Sequence, residues 1–381
     1  MTMEMTLTPL EMTWIIKQWG YLPQEAVKGM REFDSTFSAA EIGKLLLNEQ
    51  AYPLLNKAEM KSALSGGGFS QAEAETAVNL LYPEWKRIAS MPVPRRGAAT
   101  GVKDGIIYVL GGGYMNGYED DRSNTVQQYN PETNEWSLLP TMPFHKVSLL
   151  NAAVVDTSLY LIGSGVGKYQ YFTGENWKYT PNQSWERMAD MSTSRVKAGL
   201  AAVKGKIHVI GGSSRFGQGA GPCVYHEVYD VATNSWKEYP PLPLACLDHT
   251  VAVVDSNIYV LGGNKQNKQF VFDTISNVWS EIAQSPLCVF GAASVVARGK
   301  IYLIGGCSEG GPFAGTFYDA VQVYDPATNT WSISPAKLSC ARAQLMAAVV
   351  GDTIYAIGGS ECGRAMNAGA CDIVEALLVY E

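Results

Sequence analysis

The stretch Gly299-Lys300-Ile301-Tyr302-Leu303-Ile304-Gly305-Gly306, continued after a loop by Val321-Gln322-Val323-Tyr324-Asp325-Pro326-Ala327-Thr328-Asn329-Thr330-Trp331, decides the fold. Its first part places β-branched and aromatic residues against a glycine pair, which is a short strand with a sharp stop. Its second part is a strand running into a tight turn, where Pro326 presets φ and Asn329 tolerates the left-handed conformation; a further strand carries Trp331. Just upstream, Ala292-Ala293-Ser294-Val295-Val296-Ala297 is small and apolar, suited to a buried inner strand. Four short strands in a unit of about 50 residues outline one blade of a propeller.

The same pattern returns along the chain. Tryptophan recurs at Trp85, Trp136, Trp185, Trp236, Trp279 and Trp331, and the glycine pair at Gly111-Gly112, Gly211-Gly212, Gly262-Gly263, Gly305-Gly306 and Gly358-Gly359. The second copy keeps half of the pair, as Gly163-Ser164. The turn recurs at 130–136, 230–236 and 273–279, so the last two strands pair as a hairpin in copy after copy. The tryptophans, and a column of Tyr108, Tyr160, Tyr259, Tyr302 and Tyr355, read as packing between neighbouring blades. His208 stands in that tyrosine column and reads as a core residue.

Paired glycines, then Tyr before a turn, then Trp, resemble kelch repeats, and the resemblance runs from Glu84 to Glu381. It implies a mainly β chain, a six-bladed kelch β-propeller. The final copy reaches Glu381 before any Trp strand, while Glu84-Trp85-Lys86-Arg87-Ile88-Ala89 supplies one at the other end. The expectation is therefore a ring closed by an N-terminal strand, which removes the exposed edge of an open array.

Residues 1–80 lack these signals and have helical spacing, so we expect a small N-terminal α-helical bundle there and the propeller over 81–381. Two segments resemble one another, 11–27 and 59–75: an apolar helix ends at Gly20 or Gly68, an aromatic follows, and a second helix starts a few residues on. Ser70 offers a cap for the last helix, and Ser38 to Leu47 is a third, damaged unit. Trp14, Ile15 and Trp19 are more apolar surface than so small a bundle usually buries, which leaves both a packing appendage and a partner-docking module open.

Composition narrows the function. The 381 residues carry 29 Lys and Arg against 36 Asp and Glu, a net charge of −7, which argues against nucleic acid. No apolar run is long enough to span a bilayer, so no membrane association is expected. The N-terminus has no basic start and no apolar core of a secretory signal, and the seven cysteines are an odd number; the expectation is a cytoplasmic protein with reduced thiols.

In a four-stranded antiparallel blade, the loop after the second strand and the link to the next blade share one face. Cys223, Cys307, Cys362 and Cys371 fall in such loops, and Cys246, Cys288 and Cys340 in the links, so all seven map to one rim. The loops at 113–123, 213–223, 307–318 and 360–372 are long and Gly-rich, and long loops on one rim build a recess. Candidate binding residues there are Arg95, Arg96, Arg195, Arg215, Asp248, His249, Glu309, Arg342 and Arg364. The kelch resemblance singles out Arg95, Arg195 and Arg342, since kelch proteins that bind acidic peptides use basic residues at such link positions. Cys223-Val224-Tyr225-His226 and Cys246-Leu247-Asp248-His249 repeat one spacing, and two thiolates with two imidazoles could hold zinc or another transition metal. Against this, His226 belongs to a third strand and His249 to an inner strand. The expected function is a scaffold that binds a protein or peptide on the loop-rich face, with no cofactor. The alternative is an enzyme acting on a small molecule or peptide in the central recess, with or without a metal, for which Glu309, Glu361 and Arg215 are the acid–base candidates. Phe216, Phe290, Phe313 and Phe317, if exposed on the rim, favour the scaffold.

Overall fold

The computed structural model describes residues 22–47, 52, 55–113, 124–143, 152–166, 171–181, 183–214, 221–308, 315–361 and 369–379. The chain divides into two compact units, the first reaching Glu84 and the second running from Trp85 to Val379.

The first unit holds helices α1 (Pro23–Phe33), α2 (Ala39–Leu46), α3 (Lys57–Gly66) and α4 (Gln71–Leu81). Three of them start on a reciprocal cap: Ser38, Asn56 and Ser70 accept from the N–H groups of Glu41, Glu59 and Glu73, whose carboxylates bond back to the cap backbone. Between the helices lie Val27, Met30, Ile42, Leu46, Met60 and Leu64, with Ala74 and Val78 closing the core. The segment from Ser38, read as damaged, is a capped helix. Just past α3, Gly68 turns left-handed (φ +99), and Gly67 must lack a side chain because a Cβ there would stand 2.2 Å from the Val27 side chain. Trp14, Ile15 and Trp19 lie outside the described residues.

Among the described residues the second unit holds six four-stranded sheets with the strands in sequence order, the last completed from the other end of the chain, and two small sheets of rim strands. Blade 1 is Ala99–Lys103, Ile106–Leu110, Val126–Asn130 and Glu135–Leu139; blade 2 is Ala152–Val155, Ser158–Val166, Tyr171–Tyr179 and Trp185–Met188. Blade 3 is Gly199–Val203, Lys206–Ile210, His226–Asp230 and Ser235–Glu238; blade 4 is Thr250–Val254, Asn257–Leu261, Gln269–Asp273 and Val278–Ile282. Blade 5 is Ala293–Ala297, Lys300–Ile304, Val321–Asp325 and Thr330–Ile333. Blade 6 is Met346–Val350, Thr353–Ile357 and Val374–Leu378, and its fourth strand is Lys86–Arg87, with Lys86 opposite Ala376 and Arg87 opposite Glu375. Each first strand lies against the first strands of both neighbouring blades, and the circle closes where Ala99–Lys103 meets Met346–Val350. An N-terminal strand thus completes the sixth blade.

Burial follows the seams. Each hydrophobic cluster of the propeller draws on two adjacent blades, as where Ile107 and Tyr129 of blade 1 pack with Tyr355 and Ile357 of blade 6. Tyrosines of second and third strands meet across the seams, in the pairs Tyr108–Tyr179, Tyr160–Tyr229, Tyr259–Tyr324 and Tyr355–Tyr129.

The repeated Asn and Trp have a polar task as well. Trp236 Nε1 donates to the Ala189 carbonyl at 2.7 Å, while Asn234 Oδ1 accepts from the Ala189 N–H at 2.8 Å and from the Tyr229 hydroxyl at 2.8 Å. Trp136 and Asn134 hold Ala89 in the same way, and Trp331 and Asn329 hold Ala283. One side-chain pair therefore pins the end of the preceding blade. Asn234→Ala leaves a buried hydroxyl and an N–H without their acceptor, and Asn234 holds φ +50, a conformation alanine disfavours. We expect a loss of roughly 2–3 kcal/mol in urea unfolding, against less than about 0.5 kcal/mol for Ser235→Ala on the exposed strand next to it.

Candidate functional site

The loop-rich rim is built by backbone pairing between each described link and a second-to-third-strand loop. Arg96 bridges Gly113, Arg195 pairs with Ser214, Cys223 bridges Cys246, Phe290 bridges Cys307, and Arg342 pairs with Glu361. The described cysteines, Cys223, Cys246, Cys288, Cys307, Cys340 and Cys371, all lie in these links and loops, and no disulfide joins them. Cys362, Arg215, Glu309, Arg364, Phe216 and Phe313 lie outside the described residues.

The arginines singled out as ligand contacts are a correction. Arg95, Arg195 and Arg342 are 3%, 1% and 0% exposed. Their guanidinium groups turn into the blade, where the third strand offers an acid or amide. Arg195 Nη2 stands 3.0 Å from Glu227 Oε2 and donates to the Val209 carbonyl at 3.0 Å. Arg342 pairs with Glu375 and donates to the Gly358 and Ile373 carbonyls at 3.1 and 3.0 Å. Arg95 donates to the Thr125 hydroxyl at 2.9 Å, and the amide of Gln127 secures both polar groups of Val93. These are framework contacts, two of them ion pairs, and the recess is less basic than the sequence alone implied.

The four candidate metal ligands are the second correction. His226 spends one ring nitrogen on His208 (2.9 Å) and the other on the Pro240 carbonyl (3.1 Å). His249 Nε2 accepts from the Gly199 N–H at 3.1 Å. The Cys223 thiol donates to the Gly211 carbonyl and the Cys246 thiol to the Leu244 carbonyl, each at 3.3 Å. Burial raises the Cys223 thiol pKa and pushes Cys246 up to about 12, so neither readily forms the thiolate a metal needs. Among the described residues no group of three or more His, Cys, Asp and Glu stands close enough to hold a metal ion.

What remains accessible is the mouth of the central channel. Two residues before the first strands of blades 1, 3, 4, 5 and 6, the chain turns left-handed at Gly97 (φ +54), Lys197 (φ +59), Asp248 (φ +53), Gly291 (φ +62) and Gln344 (φ +55). Backbone bonds pass round this circle, from Gly97 N–H to the Gln344 carbonyl, from Gln344 to Gly291 and from Gly291 to Asp248. Lys197 and Asp248 form an ion pair between the links to blades 3 and 4. Arg96 reaches Ser360 at 3.3 Å, and Phe290 and Phe317 stand half-buried on either side of Cys307. Below the mouth the channel is lined by small and apolar residues such as Ala98, Ala152, Gly199, Ala293 and Ala347, with Thr100, Thr250 and Ser294 as its hydroxyls. His249 is the one titratable side chain of the described lining, which contains no Asp or Glu. Burial pushes its pKa down to about 4. No helix among the described residues is long and apolar enough to cross a membrane.

Comparison with known proteins adds three findings. The family model described as KLHDC2/KLHL20/DRC7 Kelch-repeats domain matches residues 197–374, and a Kelch motif model matches residues 94–143. The chain is similar to Kelch-like protein 23 of Homo sapiens, at 30% identity over 52% of this chain and 36% of that protein. It is also similar to Kelch-like protein terF of Aspergillus terreus (26%, over 49% and 42%) and to Kelch repeat and BTB domain-containing protein 1 of Vaccinia virus (26%, over 56% and 36%). The matched region is less than half the length of each of these relatives. Among solved structures, the one titled "Structure of YjhT" superposes with a TM-score of 0.64 at 16% identity, covering 77% of this chain and 97% of that one. At that identity the likeness concerns the fold alone.

The buried ion pairs yield a direct test. Arg342→Met alone strands the Glu375 carboxylate in an apolar seam, and we expect it to cost about 3–5 kcal/mol in chemical unfolding. The double change Arg342→Met/Glu375→Leu removes both charges and is expected to recover most of that loss. A ligand-contact role for Arg342 instead predicts near-normal stability in the single variant.

Proposed function

Because the chain belongs to the kelch-repeat family, we propose that its propeller works as a scaffold that binds a protein or peptide at the mouth of the channel. The observation that carries this reading is the character of the rim. Phe290 and Phe317 supply half-buried aromatic surface around Cys307, while Arg96, the Lys197–Asp248 pair and Gln344 supply polar groups in a second arc. Aromatic anchors among a few oriented polar groups suit a peptide better than a small polar substrate. The kelch-named relatives agree with a protein-interaction role. The enzyme alternative has His249 to work with on the described channel wall, and its Nε2 is occupied by Gly199. Residues of the rim that we propose as contacts are Arg96, Lys197, Asp248, Phe290, Phe317 and Gln344; Arg215, Glu309 and Arg364 stay candidates from their loops. A cytoplasmic setting fits the reduced thiols, and neither nucleic acid nor a membrane is proposed as partner.

Selection of displayed random peptides on the full chain tests the reading. Peptides that bind wild type are expected to lose at least tenfold in affinity to Phe290→Ala, Phe317→Ala and Arg96→Ala, because truncating an interface anchor costs about 1.4 kcal/mol or more. Ile275→Ala, on the hairpin turn at the far end of blade 4, is expected to bind as wild type does. Equal losses at both ends, or peptides indifferent to all rim changes, refute the assignment.

A further inference from the structure

Three of the four histidines of the chain lie along one seam, between blades 3 and 4: His208 and His226 in mutual contact against Phe272, and His249 farther in, on the channel wall against Gly199. We infer that this seam is an acid-operated joint: proton uptake by the His208–His226 pair and His249 parts blades 3 and 4 while the neighbouring seams hold.

The seam lacks the fastening used elsewhere. Where four of the other seams set a tyrosine against a tyrosine and the seam between blades 5 and 6 packs Tyr302 with Leu377, here His208 meets Phe272 at 6.0 Å, and phenylalanine has no hydroxyl to give the turn asparagine. Pro240 occupies the place of Ala89, Ala189 and Ala283, so no N–H is available for Asn277 to accept. The polar connection is supplied instead by imidazole. His226 Nδ1 bonds to the Pro240 carbonyl, to which Trp279 Nε1 of blade 4 also donates at 2.8 Å, and His226 Nε2 bonds to His208 Nδ1. A carbonyl only accepts, so neutral His226 carries its proton on Nδ1 and receives one from His208 at Nε2. A second proton on His226 sets two N–H groups against each other across 2.9 Å. His249 repeats the logic: its Nε2 accepts from Gly199 of blade 3, and a proton there opposes the N–H.

Nothing charged nearby favours an imidazolium. Arg195 and Lys206 are cations, and Lys237 stands over the Tyr239 ring. The carboxylates on the packed strands are engaged elsewhere: Glu227 with Arg195, Asp230 with Lys206, Glu281 with Lys268, and Asp273 with the Ile275 N–H. Glu238 is exposed on the outer strand, and Asp248 is paired with Lys197. The remaining walls are Tyr239, Phe272, Trp279 and the high-pKa thiol of Cys246. Burial accordingly holds all three histidines below their ordinary value of 6.5. The sign is set by that direction. The closed seam keeps its full advantage above pH 6.5, and loses it as pH falls toward the lower pKa values of the closed state, by about tenfold per pH unit for each histidine.

Hydrogen exchange of the full chain, read by mass spectrometry and corrected for the intrinsic pH dependence of exchange, tests the joint. Between pH 7 and pH 5 the strands Lys206–Ile210 and His226–Asp230 are expected to open at least tenfold more often, while Lys300–Ile304 and Val321–Asp325, which hold Tyr302 and Val321 at the same positions, stay within about twofold. Uniform acceleration over all blades, or none, overturns the proposal with wild type alone. The double change His208→Tyr/His226→Val installs the residues that blade 1 carries as Tyr108 and Val126, and is expected to reduce the acid response of this seam at least fivefold. A variant that folds and keeps the full response also overturns it.

Discussion

The ring depends on one backbone hydrogen bond made again and again: the second glycine of a pair donates to the carbonyl of the link that enters the next blade. Gly212 reaches Cys246, Gly263 reaches Val289, Gly306 reaches Arg342 and Gly359 reaches Arg95, each at 2.8 or 2.9 Å. Such an approach needs left-handed backbone and no side chain. Gly305 and Gly306 hold φ +63 and +95, and a Cβ on Gly305 would stand 2.5 Å from the Arg342 carbonyl. Once the link carbonyl is caught, the link must run along the rim, turn left-handed at its next residues and drop down the axis as an inner strand. The rim residues owe their positions to this constraint rather than to contacts of their own.

The same constraint explains why Arg95, Arg195 and Arg342 are framework. Their carbonyls are caught by, or crowd, the glycine of the preceding blade, while their side chains insert into their own blade against Thr125, Glu227 and Glu375. Each arginine thus spans two blades. Isolating such charges requires a good partner, and two of the three blades place a carboxylate at the required point of the third strand.

Much of the architecture was legible because the repeat carries its own geometry. Glycine pairs, turn asparagines and tryptophans mark strand ends, and the Trp strand missing after Leu378 was supplied by Trp85 through simple counting of strands. The rim location of the six described cysteines followed from strand parity. What could not be read was the direction in which link side chains point. Glu227 and Glu375 lie more than thirty residues beyond Arg195 and Arg342, at the ends of loops of unequal length, though Glu or Gln just before the Tyr turn was a usable signal. The matched Cys-x-x-His spacing misled for a related reason. His226 shares a strand face with His208 as its diagonal neighbour across the Lys206–Ile210 and His226–Asp230 pairing, and this contact between strands excludes the one suggested along the chain.

Closure by Trp85, Lys86 and Arg87 has a mechanical corollary. The helical unit is joined covalently to the propeller through Glu84, next to the shortest outer strand of any blade. Tension transmitted along the chain from those helices reaches this two-residue strand before any other part of the ring. On that path Lys86 and Arg87 are the first paired residues of the ring to carry the load, with the Ile88 and Met91 N–H bonds to Val374 and Asp372 next in line.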